Sequence, residues 1–255
     1  MYADSHAHLD YPDFSGILDN VINDSFLNNV KFIVTTGTDI ESSIKNIAIA
    51  EDYPTIYAAI GVHPHEAGKV PISDISKLKD LIHSTDKIVA IGETGLDYHY
   101  DNSPRDLQEI HFRKHIELAL ESDLPLVLHT RGAEGKCFEI VQEYGVKRCY
   151  FHCYTGTVEL GLKIAAAGYK IGVTGIVTFN NPSNAELIGA LPLNSLLTET
   201  DSPFLSPKPF RGKRNEPMRI PVIVEKLKSL FTNYPPEEVE RVLYKNCTDF
   251  FSFRD

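Results

Sequence analysis

The chain has no uninterrupted apolar run of about 18 residues, the least that would cross a bilayer as a helix. Nor does it open with a basic stretch followed by an apolar one. Its first residues, Met1-Tyr2-Ala3-Asp4-Ser5-His6, are polar, so no secretory leader is expected, and the location expected is cytoplasmic. Cysteine is sparse. Cys137, Cys149, Cys153 and Cys247 include no CxxC pair, and no second Cys/His pair completes a zinc finger around Cys149, His152 and Cys153. Reduced thiols are therefore expected. Positive charge is also scarce. A net charge of −10 argues against broad, nonspecific nucleic-acid binding, though not against a local basic patch. Low-complexity segments, linkers and repeats are missing as well.

What is present is ample material for a core. Of the 255 residues, 42% are hydrophobic and 24% charged. The length is typical of a (β/α)8 barrel folded as one domain, residues 1–255. The pattern agrees. Short β-rich runs at 2–8, 30–35, 56–61, 87–92, 125–129, 148–152, 169–173 and 195–199 each precede a stretch with helical apolar spacing. Those stretches lie near 14–28, 40–52, 74–84, 105–122, 135–144, 158–167, 184–191, and finally 217–231 with 236–251. Eight β runs alternating with helices describe a closed parallel barrel, with an open doubly wound sheet as the alternative.

The polar residues with metal-binding chemistry stand at the C-terminal ends of the apolar runs, which in a barrel converge on the face where chemistry occurs. In His6-Ala7-His8 the two imidazoles, two apart on a strand, share a face and can reach one ion. Glu93 follows the fourth run, His129 and His152 close the fifth and sixth, and Asp201 follows the eighth. Singly, each could be a hydrogen-bonded core histidine or a turn acid. Together, His6, His8, Glu93, His129, His152 and Asp201 provide too few ligands for two closed tetrahedral sites. A bridging carboxylate and a bridging water would complete two open ones, the mark of catalytic sites. Mixed nitrogen and oxygen donors suit Zn²⁺, Mn²⁺ or Fe²⁺, and Mg²⁺ less well.

Other residues get plainer expectations. Asp97 suits a strand-end cap better than Glu93 does. His111 and His115 are four apart but lack the glutamate of a zincin motif, so both are expected on a helix surface. The loop after the eighth run carries Lys208, Arg211, Lys213 and Arg214, with Arg219 just beyond, where barrel phosphate sites often lie.

The chain resembles the TatD-type metal-dependent hydrolases, known as TatD DNases. The resemblance rests on Asp4-Ser5-His6-Ala7-His8-Leu9-Asp10, Gly61-Val62-His63-Pro64-His65, Ile91-Gly92-Glu93-Thr94-Gly95-Leu96-Asp97-Tyr98 and Leu128-His129-Thr130-Arg131. It continues through Phe151-His152-Cys153-Tyr154-Thr155-Gly156, Gly175-Ile176-Val177-Thr178-Phe179, Glu199-Thr200-Asp201-Ser202-Pro203 and Arg214-Asn215-Glu216-Pro217. It implies a TIM barrel in which His6, His8 and Asp201 hold one divalent ion, His129 and His152 a second, and Glu93 touches both. It also implies hydrolysis of DNA phosphodiester bonds. One departure is His115, where glutamine is usual in the family.

The mechanism expected is two-metal hydrolysis. Asp201 orients a water and takes its proton. Arg131 and the loop cations, Arg211, Lys213 and Arg214, stabilise charge on the phosphate, with His63 and His65 as further phosphate ligands. Because only a few phosphates can be neutralised, single strands or chain ends, the 3′ end among them, suit the site better than long duplex. The alternative is a barrel hydrolase acting on a small amide or aminoacyl ester. Such enzymes often bridge their metals with a modified lysine after strand four, where this chain has Glu93. A non-catalytic metal-binding scaffold is a third possibility, but no ligand is missing.

Overall fold

The computed structural model describes residues 1–180 and 182–253. Eight strands pair in parallel in the order of the chain. They are β1 (Tyr2–Ala7), β2 (Val30–Thr36), β3 (Ile56–Ile60), β4 (Ile88–Asp97), β5 (Leu126–Arg131), β6 (Cys149–Phe151), β7 (Lys170–Val173) and β8 (Leu196–Thr198). Between them run α1 (Leu18–Leu27), α2 (Ile40–Asp52), α3 (Ile75–Ile82), α4 (Arg105–Ser122), α5 (Glu134–Glu143), α6 (Val158–Ala166) and α7 (Pro182–Gly189), with α8 (Ile220–Leu230) and α9 (Pro236–Phe251) at the end. The seam between β1 and β8 has no regular ladder. It closes just above them, where the Asp201 N–H donates to the His6 carbonyl at 2.9 Å and the His8 N–H to the Ser202 carbonyl at 2.7 Å. The buried Asp4 carboxylate reinforces this seam by accepting from the Thr200 N–H at 2.9 Å and the His6 N–H at 3.2 Å. The architecture is the (β/α)8 barrel. Among the described residues no helix is long and apolar enough to cross a membrane.

Both faces of the strands are buried, which is why they read as continuous apolar runs. The outward face, with Ile33, Ile60, Leu126, Leu128, Phe151 and Ile171, packs against helix residues such as Ile47, Leu78, Phe112, Ile164 and Leu227. The inward face gathers Ala3, Val34, Ala59, Val127, Tyr150 and Leu197, with Phe250 and Phe251 of α9 against them. Two residues beyond Val127 on β5 comes His129; two beyond Tyr150 and Leu197, one residue past the ends of β6 and β8, come His152 and Glu199. The period of two thus sets polar groups directly over an apolar floor.

Strand β4 is longer than its sequence suggests. It runs through Asp97, every residue buried, past two glycines that favour a break. The glycines are there for proximity. At Gly95, with φ 136°, a Cβ would collide with the His129 carbonyl oxygen of β5.

Helix α4 also differs from expectation. His111 and His115 are buried, at 1% and 0% exposure. Gln108, His111, Phe112, His115, Ile116 and Ala119 form one inward stripe of helical spacing. Polar residues occupying that stripe give it the look of a solvent face. His115 accepts the Val62 N–H on Nε2 at 3.0 Å and donates from Nδ1 to the His111 carbonyl at 2.7 Å. The departure from the family pattern therefore pins the backbone immediately before His63.

Burial pushes the His115 imidazole down to about 4, against 6.5 when exposed. Below pH 6.5 the unfolded chain takes up a proton there that the folded chain refuses. Stability from this residue is thus full at neutral pH and drains as the pH falls towards 4. His115→Gln keeps an acceptor for Val62 without the titration. Between pH 7 and 5 the wild type should lose about 2 kcal/mol more stability than the variant. Denaturant titrations at both pH values check this, and parallel losses would contradict it.

Candidate metal centre

At the C-terminal mouth of the barrel a cavity of about 530 Å³ opens over His8, Glu93, His129, His152 and Asp201. Glu93, nearly fully buried on β4, is the central group. Its Oε2 lies 3.4 Å from His6 Nε2 and 3.7 Å from His8 Nε2. Its Oε1 lies 3.0 Å from His129 Nδ1, 3.8 Å from His152 Nε2 and 3.8 Å from His63 Nε2. Asp201 faces the same group from across the seam, with Oδ1 3.4 Å from His8 Nε2 and 3.8 Å from both His6 Nε2 and His152 Nε2. The six side chains singled out from the sequence are therefore brought together, and each oxygen of Glu93 faces its own set of imidazoles.

The outer nitrogens explain the ring orientations. His8 donates from Nδ1 to the Thr36 carbonyl at 2.9 Å, and His152 donates from Nδ1 to Glu199 Oε2 at 3.0 Å. His129 donates from Nε2 to Asp97 Oδ2 at 3.0 Å. Each bond fixes a tautomer and turns the other nitrogen, with its lone pair, inward. His6 stacks on His152, centroids 3.7 Å apart, and its buried Nδ1 has no hydrogen-bond partner among the described residues.

These donors fit divalent ions. Two ligand atoms about 2.0–2.2 Å from one tetrahedral ion lie roughly 3.4 Å apart. The separations of 3.2–3.8 Å among His6 Nε2, His8 Nε2, Glu93 Oε2 and Asp201 Oδ1 match that spacing, and they are longer than ordinary charged hydrogen bonds. Electrostatics agree. Burial opposes charge on Glu93, but His63, His6 and His152 around it hold its carboxyl well below the usual range. Burial pushes His152 down to about 3. It opposes charge on His8 and His129 too, yet Asp201 and Glu93 beside the first, and Asp97 and Glu93 beside the second, hold both up to about 9. Cations entering the site must displace those protons.

Two carboxylates near the cluster have roles the sequence does not announce. Asp97, expected as a strand-end cap, does accept the His99 and Tyr100 N–H groups on Oδ1. It is also completely buried, and its Oδ2 takes hydrogen bonds from both His129 and His65, the latter at 2.8 Å. The spacing of four between Glu93 and Asp97 on one strand, which places them on the same face, is the available signal. Glu199, two before Asp201, holds His152 and accepts the Cys153 N–H at 2.7 Å. A Cβ at Gly172 would fall on that carboxylate, so the glycine makes room for it.

The phosphate candidates divide. His63, His65 and Arg131 line the cavity, with the Arg131 guanidinium 4.8 Å over the Tyr100 ring. Arg211, Lys213 and Arg214 are exposed and are not part of its wall. Arg211 lies over Phe179, and Arg214 binds the Asp13 carbonyl and Glu216. Arg219 is buried, donating to Ser206 Oγ at 2.7 Å, and serves the loop's own structure. Lys87, at the opposite end of the barrel, donates to the carbonyls of Tyr53, Pro54 and Ile56 and cannot bridge ions at this mouth.

A pit of imidazoles and carboxylates at the C-terminal mouth of a (β/α)8 barrel defines a metal-dependent barrel hydrolase. The chain belongs to the TatD-related DNase family, whose model matches residues 3–252. It is 37% identical over 254 residues to YabD of Bacillus subtilis, described as an uncharacterized metal-dependent hydrolase, covering 98% of this chain and 99% of that one. The crystal structure of YjjV, a TatD homologue from Escherichia coli K12, superposes with a TM-score of 0.94 at 30% identity, covering 99% and 98% of the two chains.

If Asp97 and Glu199 orient the imidazoles they touch, Asp97→Ala and Glu199→Ala should each weaken divalent-ion affinity by roughly 10- to 100-fold. Competition against a chelating dye measures this. Wild-type affinity in both variants would show that the two carboxylates serve the fold alone.

Proposed function

We propose that the chain hydrolyses DNA phosphodiester bonds with two divalent ions, drawn from Zn²⁺, Mn²⁺ or Mg²⁺. His6, His8 and Asp201 would hold one ion and His129 and His152 the other, with Glu93 touching both. The observation that carries this is the division of Glu93, with Oε2 towards His6 and His8 and Oε1 towards His129, His152 and His63. When bound, such ions supply Lewis acidity to a phosphoryl oxygen and to water.

The chain's own residues do the rest. Asp201 is more open than Glu93, with 14% of its side chain exposed against 3%, so it can orient an attacking water in the cavity and accept its proton. Arg131 offers a planar fork of donors to phosphate oxygens at the rim. His63 and His65, held against Glu93 and Asp97, present imidazole edges to the same space. Arg211, Lys213 and Arg214 lie off the cavity wall and would meet only the strand beyond the scissile phosphate. Few cations at the mouth of an acidic protein favour a single strand or chain end, including 3′-end removal, over a long duplex.

The test is a loaded protein assayed on single-stranded DNA, an aminoacyl ester and a simple phosphodiester. Elemental analysis should approach two ions per chain, and the DNA should be cleaved. Glu93→Ala should lose both ions and at least about 100-fold in kcat/KM. Full activity at one ion per chain would overturn the two-ion scheme, and turnover of the aminoacyl ester alone would overturn the substrate.

A further inference from the structure

The cavity over the imidazoles has two unlike walls. Near His65, Arg131 covers one face of Tyr100 with its guanidinium, a surface suited to phosphate. Across from it Tyr11, Phe204, Leu205 and Ile176 make an apolar wall. Phe204 stands just beyond β8 and is 44% exposed, so its ring keeps a large apolar area in contact with solvent. Tyr11 meets it edge-on, with centroids 5.2 Å apart at 89°. Both rings reach the centre itself, Tyr11 lying 5.4 Å and Phe204 6.2 Å from the His8 ring. A half-exposed aromatic side chain thus stands with its centroid 6.2 Å from that of the His8 imidazole.

We propose that Phe204, edged by Tyr11, is the platform on which the unpaired base of a terminal nucleotide stacks, while Arg131 takes a neighbouring phosphate. This rests on the nuclease reading and adds to it how the substrate is recognised. The cavity, about 530 Å³, falls in the range that encloses one small ligand, and so suits one nucleotide rather than a duplex. Every base has a π-face, so a stacking platform accepts all of them and demands only that the base be free. A paired base must first be unstacked and unpaired at a cost of a few kcal/mol, so the platform selects frayed ends and single strands.

The experiment uses the metal-loaded protein and single-stranded oligonucleotides. One is DNA ending in deoxyadenosine, and its partners carry a tetrahydrofuran abasic residue at the 3′ or the 5′ end. The wild type should cleave the deoxyadenosine-ended strand with a kcat/KM roughly 5- to 100-fold above that of one of the two abasic strands. Phe204→Ala should reduce that ratio to less than about threefold, with metal content unchanged, and Phe204→Trp should restore it. Equal cleavage of all three strands by the wild type, or a ratio untouched by Phe204→Ala, overturns the platform and leaves the nuclease reading standing. Cleavage of none of them overturns both.

Discussion

A carboxylate at 2% exposure must find compensation for its charge, and the surroundings of Glu93 are arranged around that need. An isolated ion in such a place would be expelled or neutralised. Glu93 instead has imidazoles from β1 and β5, from the residues just past β1 and β6, and from the turn after β3 within 3.0–3.8 Å. Those side chains converge only because the strands close into a barrel. The closure, in turn, runs through the site, since the bonds that seal β1 to the segment after β8 are made by the backbones of His6, His8, Asp201 and Ser202. Fold and centre are therefore one construction. The apolar floor of Val127, Tyr150 and Leu197 keeps water from below, and it strengthens every electrostatic interaction above it.

Convergence alone would not make useful ligands. A neutral imidazole offers one lone pair, and the nitrogen that presents it depends on what the other nitrogen binds. Thr36 settles this for His8, Asp97 for His129 and Glu199 for His152, from three different strands or their ends. His129 turns Nδ1 to the centre, whereas His8 and His152 turn Nε2. A rotation of any of these rings would replace a lone pair by an N–H. The outer layer thus decides whether the inner one can bind a cation at all.

The inner layer was legible in the sequence, and the outer layer largely was not. Strands announce themselves by apolar runs, and a histidine or carboxylate at the end of such a run is conspicuous, so His6, His8, Glu93, His129, His152 and Asp201 could be named from position and residue type. Glu199 and Asp97 have the same chemistry but look like ordinary acids near strand ends. Their importance comes from the partner they touch, which lies 47 residues away for Glu199 and 32 for Asp97. The limit of β4 was hidden because glycine usually ends a strand, while Gly95 extends one by letting His129 approach. His111 and His115 had the spacing of a buried stripe and the polarity of a surface. There the periodicity carried the information, and the residue type obscured it. In the loop after β8, sequence showed a cluster of cations but not that Arg214 and Arg219 are engaged within their own neighbourhood.

Net charge acquires its meaning only at this scale. Screening at physiological salt reduces exposed charges beyond about 8 Å to weak contributors, so the −10 of the whole chain does not govern what happens inside a narrow mouth. It does govern what can lie across the outer surface. A duplex draped over the outer surface would meet a chain whose 35 acidic side chains outnumber its 25 Lys and Arg. A single chain end entering the cavity meets a different balance, with Arg131 on one wall and an aromatic surface on the other. Stacking on Phe204 needs no charge and is insensitive to salt, which is the form of attraction an acidic protein can offer to a polyanion. On the nuclease reading, then, the scarcity of basic residues and the exposure of Phe204 share one explanation. Binding strength moves from the phosphates to the base, and only a strand with a free end or an unpaired base can use it.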